Sequence, residues 1–194
     1  MKPAPTPDTA GAHRPNLERL FWLRNIAAAA EIGAVAAAVG GLGLALPVRS
    51  LGLIIALLLA ANAVTRLRLR LGMAPITAGE LFGQLLVDVA ALTGLLYLSG
   101  GAHNPFVFLL LLPLTIAATV LPARHTWAMA ALTIAAYTAL LFFHRPLPFG
   151  DAGAAREYLV HVWGMWIGFV LLALLVMGLG YMGGLMVFPT TKKR

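Results

Sequence analysis

Ser99-Gly-Gly-Ala-His-Asn-Pro-Phe106 is a polar, turn-rich stretch set between two apolar segments. Gly100 and Gly101 have access to φ > 0 and let another group approach the backbone closely. Pro105 keeps Asn104 out of the α region and suits the opening position of a following helix. The chain therefore reverses here, and the segments on either side form a helical hairpin. A turn requires the glycines and the proline. It does not require Asn104, which offers amide donors and an acceptor, or Phe106, which adds an aromatic face. The stretch thus reads two ways, as a tight connection and as a small-molecule site, and sequence pattern leaves both open.

The surroundings of this hinge place it in a membrane. Of 194 residues 60% are hydrophobic and 11% charged, where a soluble domain carries about a quarter charged residues. With mean hydropathy +0.87, this is an integral membrane protein whose first partner is the lipid bilayer. The absence of cysteine excludes disulfides, thiolate metal sites and thiol redox switches. The net charge of +7 comes from basic residues beside apolar spans, which fits membrane orientation and not nucleic-acid binding.

A hydrocarbon core needs about 20 apolar residues per crossing. Six candidates result: 25–46, 49–66, 78–99, 106–122, 126–143 and 162–187. The expected fold is an all-α membrane protein, a six-transmembrane helical bundle with both termini cytoplasmic. Residues 1–16, with four prolines and no apolar core, read as a disordered N-terminal tail. Residues 17–187 form the membrane domain, opened by an amphipathic lead-in over 16–24, and 188–194 a short basic cytoplasmic tail. Orientation follows from charge: eleven basic residues, Arg24 among them, fall on the N-terminal side and only Arg49, Arg145 and Arg156 on the other. The hinge then faces the periplasm. Ala29, Gly33, Ala37 and Gly41 recur every fourth residue and suit close helix packing, within the chain rather than between chains.

The third span carries Glu80, Gln84 and Asp88 at i, i+4 and i+8, a polar face within the membrane. Thr77 and Glu80 match a capping box, a structural role for Glu80. Asp88 lies ~16 Å past the cap at 1.5 Å per residue, near mid-bilayer. There a carboxylate costs roughly 2.5–3.5 kcal/mol on insertion scales, so it faces the bundle, paired or protonated. Glu31 lies nearer the interface, with Asn62 and Thr65 as candidate partners. Asp88 and Asn104 are too far apart along the helix to share one headgroup. No phosphate-binding loop, metal-ligand spacing or phospho-acceptor histidine is present among these residues, so no catalytic residue is assigned.

Three segments together resemble a known family. The lead-in Leu20-Phe-Trp-Leu-Arg-Asn-Ile-Ala27, the third span Glu80-Leu-Phe-Gly-Gln-Leu-Leu-Val-Asp88 with Leu96-Tyr-Leu-Ser-Gly-Gly101, and Asn104-Pro-Phe106 followed by Leu112-Pro-Leu-Thr-Ile-Ala-Ala-Thr119 are similar to the membrane sensor domain of RegB/PrrB-type redox-responsive histidine kinases. The resemblance covers roughly residues 17–187. It implies a two-component signalling role in a bacterial inner membrane, with ubiquinone as the cofactor read by the hinge. It assigns Gly100, Gly101, Asn104, Pro105 and Phe106 to the quinone, with Tyr97 as a further packing group. Family members continue into a phospho-acceptor and ATP-binding region that these residues lack, so catalysis by the chain alone is not expected. A homodimer, or a mixed dimer with a full-length kinase, is the expected assembly. The alternative from another class is a small ion-coupled transporter that uses Asp88, for which Pro113 in the fourth span is the best sign.

Overall fold

The computed structural model describes residues 13–72, 75–145, 160, 161 and 164, and regular structure among them is entirely helical. Helix α1 spans His13–Ala36 and runs on as a π-helical turn, Ala37–Gly41. Then come α2, Val48–Leu71, and α3, Ala78–Leu98. Two 3₁₀ turns, Gly101–His103 and Val107–Leu110, lead into α4, Leu111–Val120, and α5 is Ala123–Phe142. Val160, His161 and Gly164 are helical as well.

The boundaries follow from local chemistry. Gly72 takes φ +57° beyond the last turn of α2, the left-handed conformation that commonly closes a helix. Thr77 opens α3 by accepting a hydrogen bond from the Glu80 N–H at 3.1 Å. Pro122 stands at the N-cap of α5, where its missing N–H costs nothing. Pro113 falls in the first turn of α4, where a proline is tolerated for the same reason. It therefore marks the switch from 3₁₀ to α geometry and does not break a transporter-like helix.

Cross-helix contacts fix the registers. Arg14 Nη2 donates to the Leu69 carbonyl and Asn62 Nδ2 to that of Phe21, so α1 and α2 are antiparallel. Arg68 with Glu80, and Thr65 with Gln84, make α2 and α3 antiparallel. The starts of α1, α3 and α5 thus gather with the ends of α2 and α4 at one end of the bundle. Arg14, Arg19, Arg66, Arg68, Arg70 and Arg124 lie towards this arginine-rich end, and Arg49 and Arg145 towards the other. Helix α3 is central: Leu81, Leu85, Val89 and Leu96 join Leu17, Leu20, Leu110, Ala117, Met129 and Leu140 in one buried cluster. A second cluster joins Ala28, Leu51, Ile55 and Leu95. Leu53, Leu57, Val64, Ile134 and Phe142 face outward, an apolar exterior that suits lipid, not water.

Several expectations change. Helix α1 begins at His13, so residues 13–16 are helical and not part of a tail; Pro15 sits in the first turn, where it is tolerated. The lead-in over 16–24 is continuous with the first span. Among the described residues four helices are long and apolar enough to cross a membrane: His13–Gly41, Val48–Leu71, Ala78–Leu98 and Ala123–Phe142. The fourth expected span, 106–122, is instead the shorter apolar helix Val107–Val120. Its four 3₁₀ and ten α residues reach ~23 Å against a core of about 30 Å. The sixth span, 162–187, falls outside the described residues apart from Gly164. The small-residue stripe Ala29, Gly33, Ala37 and Gly41 faces outward, and a Cβ added at Gly33 or Gly41 would meet nothing within 4 Å among the described residues.

Candidate functional site

Two polar sites emerge, one inside the bundle and one at the hinge. The first is built on α1, α2 and α3. Arg24 is 2% exposed, and its guanidinium makes four hydrogen bonds. Nε donates to Asp88 Oδ1 at 2.6 Å and Nη2 to Asp88 Oδ2 at 3.1 Å. Nη1 donates to Gln84 Oε1 at 2.9 Å and Nη2 to the Gln84 carbonyl at 2.7 Å. The bidentate grip on Asp88 is the strong form of a carboxylate–guanidinium contact. Thr65 Oγ1 lies 3.1 Å from Gln84 Oε1 and 3.0 Å from the Ala61 carbonyl, so its one hydrogen is shared between them.

This arrangement corrects the placement of Arg24 at the membrane surface. Because α1 starts at His13, Arg24 lies ~15 Å along the helix from Arg14, level with Asp88 on α3. The signal was present in the sequence. Leu17, Leu20, Arg24 and Ala28 repeat at three- and four-residue spacing and are the buried face of α1. Asp88 is thus engaged by a cation, as an intramembrane carboxylate must be if it stays charged. Glu31, two turns further along α1 from Arg24, has Oε2 buried with no partner among the described residues. Asn62 and Thr65, its expected partners, are instead committed to the Phe21 carbonyl and to Gln84.

Glu80, Gln84 and Asp88 all point toward α1 and α2. The Glu80 backbone is capped by Thr77, while its carboxylate meets Arg68 Nε at 3.2 Å. The glutamate therefore ties α3 to the end of α2 in addition to its place in the cap.

At the hinge Asn104 organises the turn. Its Nδ2 donates to the Ser99 carbonyl and to Ser99 Oγ, both at 2.8 Å, and its Oδ1 accepts the Phe106 N–H at 2.9 Å. Both amide hydrogens are thereby used within the turn. Gly100 and Gly101 have φ of +107° and +59°, which only glycine adopts without strain. The space beside Gly101 is taken by the end of α5 and the residues just after it: a Cβ there would overlap the His144 side chain and crowd the Leu140 carbonyl. Pro105 is packed against Gly164 in the same way. The backbone N–H of Arg145 donates to the Tyr97 carbonyl at 2.8 Å, the His103 and His144 rings lie 5.2 Å apart, and His161 Nδ1 is 3.0 Å from the His103 carbonyl.

The hinge is therefore a junction of residues 97–106 with 140–145 and with His161 and Gly164. Of the six residues expected to meet a ligand, Gly100, Gly101 and Pro105 are buried, and Asn104 and Phe106 are half-buried. Tyr97 is 41% exposed, and its hydroxyl has no partner among the described residues. Among the described residues no group of three or more His, Asp or Glu side chains is arranged to hold a metal ion.

Comparison with known proteins agrees with this architecture. The family model described as PilS-like transmembrane domain matches residues 45–180. The chain is also similar to the sensor histidine kinase RegB of Cereibacter sphaeroides, with 36% identity over 95 residues. That match takes in 49% of this chain and 20% of RegB, so the chain aligns with about a fifth of its curated relative. No solved structure matches. The resemblance to RegB-type membrane sensor domains, read from the hinge and the third span, is borne out.

Proposed function

Since the chain belongs to the family of PilS-like transmembrane domains, we propose that it is the quinone-reading input domain of a two-component sensor histidine kinase. The similarity to RegB supports a signalling role over transport. The pairing of Asp88 with Arg24 supports it too, because a transporter needs its carboxylate available to the coupled ion. In this reading six spans cross a bacterial inner membrane, with both termini cytoplasmic and the hinge periplasmic.

The observation that carries the proposal is the junction at the hinge. Loop 97–106 is locked to the end of α5 through Gly101 and Arg145, and to residues 161 and 164 through His103 and Pro105. A molecule seated on this loop bears on both later segments at once. Ubiquinone has two carbonyl acceptors and a flat ring. The Tyr97 hydroxyl is the donor available to a carbonyl, and the Phe106 ring is the aromatic wall. Gly100, Gly101, Asn104 and Pro105 act by holding the loop in shape. Quinol presents hydroxyl donors where quinone presents acceptors, and the Tyr97 hydroxyl donates to the one and accepts from the other. In this reading the domain works as a dimer, paired with a second copy of itself or with a related sensor kinase.

Titration of the purified chain with oxidised and reduced ubiquinone, followed by tryptophan fluorescence, tests this reading. Saturable binding is expected. It should weaken roughly 3- to 10-fold in Tyr97→Phe, the worth of one net hydrogen bond, and vanish in Asn104→Ala/Phe106→Ala. Unchanged affinity in that double variant rejects the site.

A further inference from the structure

A groove distinct from both polar sites lies on the outer face of the α1–α2 pair near the arginine-rich end. Phe21 and Asn25 of α1 and Leu59, Asn62, Arg66 and Arg70 of α2 line a groove of about 380 Å³. On α2 these positions recur every three or four residues, so they form one stripe ~16 Å long at 1.5 Å per residue. Polarity changes along it in order: two guanidiniums at the helix end, two carboxamides a turn or two deeper, then leucine.

Three features mark this groove as a built site. Arg66 is held with its guanidinium carbon 5.4 Å from the centre of the Phe21 ring, a cation–π contact that pre-positions it. Neither Arg66 nor Arg70 has a carboxylate partner among the described residues, whereas Arg14, Arg24 and Arg68 each have one. Asn62 is 2% exposed, and its Oδ1 is buried without a hydrogen-bond partner among the described residues. Its orientation is fixed because Nδ2 donates to the Phe21 carbonyl at 3.1 Å, so the atom left over is an acceptor in need of a donor.

We propose that this groove binds one anionic phospholipid with a hydroxyl-bearing headgroup, of the phosphatidylglycerol type. The phosphate lies between Arg66 and Arg70, a headgroup hydroxyl donates to Asn62 Oδ1, and an acyl chain follows Leu59 and Leu67, which also lines the groove. A zwitterionic lipid brings no net charge to the two arginines. Phosphatidic acid satisfies the arginines but has no headgroup glycerol to offer Asn62.

The test is lipid retention on the purified full chain, read by native mass spectrometry after exposure to mixed micelles of dioleoyl phosphatidylglycerol, phosphatidic acid or phosphatidylcholine. The expected order is phosphatidylglycerol, then phosphatidic acid, then phosphatidylcholine. Retention of phosphatidylglycerol should exceed that of phosphatidylcholine about tenfold, in keeping with charge-assisted hydrogen bonds. Arg66→Gln/Arg70→Gln should erase the preference for anionic lipid, and Asn62→Leu should erase only the difference between the two anionic lipids. Arg124→Gln, which alters charge at the same end but outside the groove, should change nothing. The arginine pair is exposed, so its replacement leaves the helices intact even if Asn62→Leu does not fold. Equal retention of phosphatidylglycerol and phosphatidylcholine, an equal loss in Arg124→Gln, or displacement of the lipid by excess inorganic phosphate would each overturn the proposal.

Discussion

Arg24 and Asp88 stand 64 residues apart in the chain, and the arginine grips both carboxylate oxygens of the aspartate at 2.6 and 3.1 Å. The pair joins the first and third helices inside the bundle, and Gln84 completes it by accepting two further bonds from the same guanidinium. In hydrocarbon the apolar side chains of one helix gain little from leaving lipid for another helix. Directed polar contacts of this kind therefore specify which helices meet and in what register.

Breaking one side of the pair is costly. Arg24→Met should lower stability by about 3–5 kcal/mol, because it leaves Asp88 buried and unpaired. Arg24→Met/Asp88→Leu should recover most of that loss. Thermal unfolding in detergent measures both, and a double variant no more stable than the single one contradicts the account.

Gly101→Ala should destabilise the hinge end by more than ~1 kcal/mol, through left-handed backbone strain and overlap with His144. Adding His144→Gly, which removes both the Cβ and the Cγ that overlap, should relieve that clash but not the strain, so rescue is partial. Full rescue would mean that the positive φ carries no cost here.

Asn104→Asp keeps the acceptor for the Phe106 N–H but loses both donations to Ser99. Asn104→Ala loses all three bonds. Hydrogen exchange at the Phe106 amide should therefore accelerate markedly in the alanine variant and little in the aspartate one. The turn is disproved as the source of this protection if both accelerate alike.

The start of α3 separates two contributions. Thr77→Ala removes the cap and should cost about 1 kcal/mol. Glu80→Gln removes the partly exposed ion pair with Arg68 and should cost less, about 0–1 kcal/mol. A larger loss in Glu80→Gln, by the same unfolding measurement, would show that the link to Arg68 outweighs the cap.

Much of this architecture was readable from sequence because it depends on local patterns. The apolar runs located α2, α3 and α5 to within a few residues at most of their ends, and Thr77 announced the start of α3. Glu80, Gln84 and Asp88 share a face simply because helical periodicity requires it. The Gly-Gly-Ala-His-Asn-Pro-Phe reversal was equally plain, since glycine and proline restrict the backbone wherever they stand. Composition alone placed the chain in a membrane.

Tertiary structure decided which groups meet. No local rule gives Arg24 to Asp88, or Thr65 to Gln84, because these contacts depend on how three helices lie against one another. Windowed hydropathy put the edge of the first span at a charged residue, so Arg24 counted as surface; only a partner on another helix lets such a cation lie deeper. The same limit applies at the hinge. Sequence supplied two glycines with conformational freedom, but the fold filled the space beside Gly101 with His144 and used the Asn104 amide to hold Ser99. Backbone freedom and side-chain chemistry are properties of a residue, whereas occupied space and a satisfied hydrogen bond are properties of its neighbours.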